Sequence, residues 1–173
     1  GRTENMRQLT EELFRYSVFT TVSGGTPDEP VILNRCLEDS ISALYASLKQ
    51  KHITPEITMP EQKINRMLNR SALSRVFENI INNAVKYSDG DLVITLSEDG
   101  EIIFANHASQ LDEIKAGRLF DRFYTVETAS AESTGLGLSI AKVLTEQMGG
   151  EISAEYEDGI IRVRINFPKT CFV

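Results

Sequence analysis

The sequence predicts an α/β fold of the two-layer, α+β kind, with helices on one face of a mixed or mostly antiparallel sheet. Three observations predict it. Residues 71–87 place Leu73, Val76, Phe77, Ile80, Ile81 and Ala84 at helical spacing. Two Asp-Gly pairs, Asp99-Gly100 and Asp158-Gly159, each stand between runs of alternating apolar and polar residues, which is the pattern of a β-hairpin. The length, 173 residues, suits one domain with a short appendage at roughly 100–200 residues per domain.

The elements follow in order. Residues 3–20 read as a helix in which Met6, Leu9, Leu13, Tyr16 and Thr20 keep a 3-4-3-4 spacing. That spacing serves either an amphipathic helix on the domain's own core or the end of a longer bundle helix. Gly24-Gly25, Pro27 and Pro30 make the next stretch a linker. A short strand is expected at 30–33, then a helix over 35–49 with Leu37, Ile41, Leu44, Tyr45 and Leu48 on one face. Ile57 and its neighbours suit a strand, although Pro55 interrupts the segment. After the helix at 71–87, Leu92, Ile94 and Leu96 alternate as in a half-buried strand, and 102–104 is the return strand. Residues 114–120 read as a short helical segment and 126–133 as a loop without periodicity. A helix over 139–148 is closed by Gly149-Gly150, and a final hairpin turns at Asp158-Gly159.

Composition narrows the function. Lys and Arg number 18 against 25 Asp and Glu, a net charge of -7, which argues against a nucleic-acid partner while leaving room for a local anion pocket. The apolar runs are a few residues long, short of the ~20 that span a bilayer, and no signal-peptide pattern opens the sequence. Cys36 and Cys171 form no CxxC and have no nearby His52 or His107, so a zinc site is not expected. The sequence carries no GxxxxGK[ST], and Ile140 stands where a dinucleotide-binding fingerprint after Gly135-Leu136-Gly137 needs glycine.

Two segments carry chemistry. In the first, Asn79, Asn83 and Lys86 lie at i, i+4 and i+7 of the helix and form one polar stripe beside its apolar face. Neutral amide oxygens beside an ammonium suit a hydrated Mg²⁺ and the phosphates it bridges. The plain alternative is a solvated helix face. In the second, Ser133-Thr134-Gly135-Leu136-Gly137-Leu138 is a glycine-rich turn feeding directly into a helix, where unpaired N–H groups and the helix dipole favour an anion. Glycine before a helix is also common without any ligand.

Together these segments resemble the catalytic ATP-binding domain of sensor histidine kinases of two-component systems, in the Bergerat-type (GHKL) ATPase superfamily. NIINNAVKYS at 79–88 resembles the N box, RLFDRFYT at 118–125 the F box, and STGLGLSIAKVLTEQMGG at 133–150 the G2 box with its helix. The resemblance implies a division into the end of the second dimerisation helix (1–20), a linker (21–30) and the catalytic domain (31–173). It implies ATP and Mg²⁺ as cofactors, with Asn83 on the metal and Asn79 supporting it. Asn79, Lys86 and Arg122 would serve catalysis. Tyr87, Asn106, Phe123, Thr134, Gly135, Leu136, Gly137 and Leu138, with Asn79, Asn83 and Lys86, would bind the nucleotide, and residues 120–134 would form a lid. The implied partners are a dimerisation and phosphoacceptor domain of the same protein, as a homodimer, and a response regulator. The implied location is the cytoplasmic face of a membrane in which the full-length protein is anchored.

The sequence departs from the family pattern at two places. Asn106 stands where the family's G1 box has the Asp that accepts from the adenine amino group, and Glu127–Glu132 of the lid holds no Arg. A degenerate, regulatory nucleotide-binding module is the alternative these departures motivate. A hydrolytic ATPase is disfavoured by Asn79, since relatives that hydrolyse ATP have Glu there and an amide is no general base. His52 and His107 lack the acidic neighbour of a phosphoacceptor, and His107 is expected at the pocket rim or in a solvated loop.

Overall fold

The computed structural model describes residues 13, 14, 17, 27–121 and 137–169. Most of the helix expected over 3–20 lies outside them, as do most of the linker, residues 122–134 of the lid expected over 120–134, and Cys171. Leu13, Phe14 and Ser17, within that first helix, are helical.

Strand β1 (Glu29–Ile32) pairs antiparallel with β3 (Asn65–Leu68) in a small sheet of their own. Between them lie α1 (Leu33–Ala43), α2 (Tyr45–Gln50) and β2 (Thr54–Thr58). The single helix expected over 35–49 is therefore two. The chain breaks at Leu44, whose N–H is shared between the carbonyls of Ser40 and Ile41 at 3.2 Å each. The break shifts the helical phase, so Leu48 stays buried while Tyr45, expected on the same face, is 58% exposed.

Helix α3 (Arg70–Tyr87) follows the expected apolar pattern closely, burying Leu73, Val76, Phe77, Ile80, Ile81 and Ala84. Asn69 caps it, its side-chain oxygen accepting from the Ala72 N–H at 3.0 Å. The hairpin of β4 (Asp91–Leu96) and β5 (Glu101–His107) follows, then the short α4 (Glu113–Gly117), α5 (Gly137–Gln147), and the hairpin of β6 (Glu151–Glu157) and β7 (Ile160–Asn166). Asp158 and Gly159 both have positive φ, 53° and 78°, the geometry of a two-residue primed turn. Helix α5 ends as expected: Gly149 takes φ 81° and the Gly150 N–H reaches back to the Thr145 carbonyl at 2.9 Å. Helix α4 covers only the first part of the expected 114–120.

The main sheet has the order β2-β4-β5-β7-β6, with β2 parallel to β4 and every other pair antiparallel, so it is mixed. Pro55 is tolerated because β2 is an edge strand. Leu92, Ile94, Leu96, Ile102, Phe104, Ile161, Val163 and Ile165 face α3 and α5 and make the core with them. The opposite sheet face carries alternate residues such as Val93, Ile103, Arg162 and Arg164, and no described helix covers it.

Candidate functional site

The stripe on α3 runs from the core outward. Asn79 is 7% exposed, and Asn83 and Lys86 are half-buried. The Asn79 Nδ2 is buried and has no hydrogen-bond partner among the described residues. An unpaired buried donor costs about 1–3 kcal/mol, so this amide is destabilising until an oxygen of a ligand or water meets it. One turn further on, Asn83 supplies another amide, and about two turns on Lys86 supplies an ammonium. The Lys86 Nζ stands 4.9 Å from the centroid of the Tyr87 ring, which is itself fully buried and steadies the cation. Amide oxygens and an ammonium on one helix side are a donor set that fits a Mg²⁺-bridged polyphosphate.

Beyond Tyr87 the chain turns sharply and returns against the end of β5. The Asp89 N–H donates to the His107 carbonyl at 2.8 Å, and the Ser109 N–H and hydroxyl both donate to the Asp89 carboxylate. His107 is clamped by Asp91, whose Oδ1 accepts from the His107 N–H at 2.9 Å while its Oδ2 meets His107 Nδ1 at 2.8 Å. Partial burial pushes the Asp91 carboxyl up, but hydrogen bonds and charge from His107 outweigh it and hold the group below its ordinary range. Expected at the pocket rim or in a loop, His107 is the last residue of β5. These bonds tie the end of β5 to the end of α3.

Asn106 alternates with Ile102 and Phe104 and so lies on the helix-facing side of β5, 4% exposed. Its Nδ2 donates to the His107 carbonyl at 3.1 Å. A buried polar side chain at the core face, next to the end of α3, is where a ligand lying along the α3 stripe would end.

Helix α5 packs against α3. Gly150, just past the end of α5, abuts the Phe167 ring, and the Phe167 carbonyl accepts from Arg66 Nε at 2.7 Å, four residues before α3 begins. Gly137 opens α5, and a β-carbon there would meet nothing within 4 Å among the described residues; Leu138 is buried. Lys142 of α5 stands 5.8 Å from the Phe120 ring centroid, which links the start of the F-box segment to this helix.

The structure thus places Asn79, Asn83, Lys86 and Tyr87 on α3 and Asn106 on the helix-facing side of β5, whose end is tied to the end of α3 through Asp89 and His107. Arg122, Phe123, Thr134, Gly135 and Leu136 lie outside the described residues. Sequence reasoning missed Asp91, because its link to His107 spans sixteen residues and leaves no periodic signal. Among the described residues no group of three or more His, Cys, Asp or Glu is arranged for a metal ion. No described helix is long and apolar enough to cross a membrane.

Residues 68–170 match the family described as histidine kinase-, DNA gyrase B-, and HSP90-like ATPase. The chain is 36% identical over 177 residues to the sensor protein VanS of Enterococcus faecium, covering 94% of this chain and 44% of VanS. It is 29% identical over 175 residues to the sensor protein VanSC of Enterococcus gallinarum, covering 97% of this chain and 48% of that protein. The chain thus spans about half the length of the curated relatives it matches. Among solved structures, the catalytic domain of histidine kinase ThkA is similar with a TM-score of 0.70 at 21% identity, over 82% of this chain and 95% of that one. The Acinetobacter baumannii histidine kinase AdeS gives a TM-score of 0.70 at 16% identity, over 98% of this chain and 82% of that one. At those identities the likeness shows the fold: a mixed sheet with helices on one face. The sensor-kinase relatives favour a kinase domain over a degenerate module.

Proposed function

The chain belongs to the histidine kinase-, DNA gyrase B- and HSP90-like ATPase family, and on that premise we propose that it is the ATP-binding catalytic domain of a sensor histidine kinase. It presents the γ-phosphate of Mg-ATP to a histidine on a dimerisation domain, in a homodimeric protein anchored at the membrane, for onward transfer to a response regulator. The observation that carries this reading is the buried, unpaired Asn79 amide at the head of the Asn79–Asn83–Lys86 stripe.

In this reading Asn83 and Asn79 hold the metal and its water, and Lys86 meets phosphate. Gly137 and Leu138 offer N–H groups at the start of α5, with Thr134, Gly135 and Leu136 before them. Tyr87 backs Lys86, Asn106 meets the base, and Arg122 and Phe123 belong to the lid side. When bound, Mg²⁺ neutralises phosphate charge. Phosphoryl transfer needs positioning and charge neutralisation more than a nucleophile from the domain itself. Asn79 cannot remove a proton from water, which disfavours hydrolysis.

Calorimetric titration of ATP with and without Mg²⁺, followed by incubation with γ-labelled ATP, tests this. Mg²⁺-dependent binding is expected, with no label on this chain and acid-labile label on an intact dimerisation domain added in trans. Acid-labile label on His52 or His107, or nucleotide affinity indifferent to Mg²⁺, would overturn the reading.

A further inference from the structure

An asparagine amide has two unlike edges: Oδ1 accepts, Nδ2 donates, and a half-turn of the side chain exchanges them. An asparagine that meets a purine at its 6-position therefore tells an amino group from a carbonyl only when that half-turn is prevented. Here Nδ2 of Asn106 is engaged by the His107 carbonyl at 3.1 Å. No described residue donates to its Oδ1, which is left as the acceptor.

The engagement depends on where the His107 carbonyl stands, and several bonds fix it. The β4–β5 register ends at Val93↔Ala105, short of His107. On the β4 side the Asp91 carboxylate takes over from the ladder, accepting the His107 N–H with one oxygen and meeting the ring with the other, while on the other side His107 stays in register with Ile160 of β7. The Asp89 N–H holds the same carbonyl that Asn106 uses. Asp91 is in turn held by its own N–H, which donates to Ser88 Oγ at 2.9 Å. Asp91 and His107 lie on the outer side of the sheet, so neither side chain is placed to touch a ligand on the helix side.

We infer that Asp91 is a positioning residue for base selection: by clamping His107 it keeps the His107 carbonyl on Asn106 Nδ2, so that Asn106 offers Oδ1 and selects 6-amino over 6-oxo purine nucleotides. This rests on Asn106 being the residue that meets the base. Without the clamp the carbonyl shifts, the amide is released to turn, and its Nδ2 accommodates a 6-oxo group. The neutral Asn106 differs here from a carboxylate, which has no donor edge to expose and needs no such lock.

The test measures affinities for ADP and IDP, which differ in having an amino or an oxo group at the 6-position, by calorimetry on the wild-type chain and four variants. Asp91→Ala is expected to lower the ADP-over-IDP preference about fivefold, the equilibrium value of roughly one net hydrogen bond. Asp91→Asn keeps an acceptor for the His107 N–H and is expected to restore most of the preference. In an Asn106→Ala background, Asp91→Ala is expected to change the preference no further. Equal loss of ADP and IDP affinity in Asp91→Ala, with the preference intact, overturns the inference and leaves Asp91 a structural residue. An unchanged preference in Asn106→Ala alone overturns the underlying reading of Asn106 instead. Exchange of the Asn106 side-chain protons in the unaltered protein keeps the test open if Asp91→Ala does not fold. Slow exchange of one proton supports the lock, and fast exchange of both overturns it.

Discussion

Arg66 Nη2 donates to the Asp99 carbonyl at 2.7 Å, and this puts its guanidinium where a β-carbon on Gly100 would stand. The same side chain donates from Nε to the Phe167 carbonyl at 2.7 Å and from Nη1 to the Asn65 carbonyl at 2.8 Å. One buried arginine thus joins β3, the tip of the β4–β5 hairpin and the end of β7. Three of the five guanidinium N–H donors are met by carbonyls, without a carboxylate partner.

Gly100→Ala should therefore be costly. Gly100 has φ 87°, and the added carbon displaces Arg66 from its carbonyls. Strain of about 1–2 kcal/mol and loss of at least one charged hydrogen bond of about 1.5–3 kcal/mol predict a fall of about 3 kcal/mol. Chemical denaturation checks this, and a midpoint unchanged from wild type would show that the hairpin tip does not depend on Arg66.

Asn83→Ala removes a half-buried amide from α3 without touching its apolar face. Substitutions of this kind usually shift stability by about 0.5 kcal/mol or less. Mg²⁺-dependent ATP affinity should fall while the melting temperature holds. Unfolding with Mg-ATP affinity intact would make Asn83 structural.

Asn79→Leu replaces the unpaired buried amide with an apolar side chain of similar size. Relief of the unmet donor should stabilise the nucleotide-free protein by about 1 kcal/mol, while nucleotide affinity drops. Opposite signs for stability and binding are the signature of a group kept for a ligand. Loss of stability together with loss of binding would count against it.

Acid should expose the Asp91–His107 clamp. Its folded carboxyl lies below the ordinary value of 3.8, so the unfolded chain takes up this proton first as pH falls. The contribution is fully present above pH 3.8 and is lost as pH falls through the lower folded value. Asp91→Asn should flatten the acid limb of the stability profile below about pH 4 and leave its shape near pH 7 unchanged. Identical acid limbs in the two proteins would rule the clamp out as a source of acid sensitivity.

Periodic elements were legible in the sequence because their signal is local. Helix α3 and both Asp-Gly hairpins repeat apolar residues at 3.6 or 2, and the N-box stripe follows from helical geometry alone. The family resemblance was legible for the same reason, since its boxes are contiguous. Strand β3 was not, because its buried positions are Arg66 and Leu68, and an arginine reads as polar until its carbonyl partners are known. Tyr45 misled because one shared hydrogen bond at Leu44 resets the helix phase. Only tertiary structure decided that β2 lies parallel to β4, that the Asn79 amide is buried without a partner, and that Asp91, His107 and Asn106 form one joint. Each of those depends on side chains meeting across different elements, where pairing is chosen by packing and by the need of buried polar groups for partners rather than by neighbours in the chain.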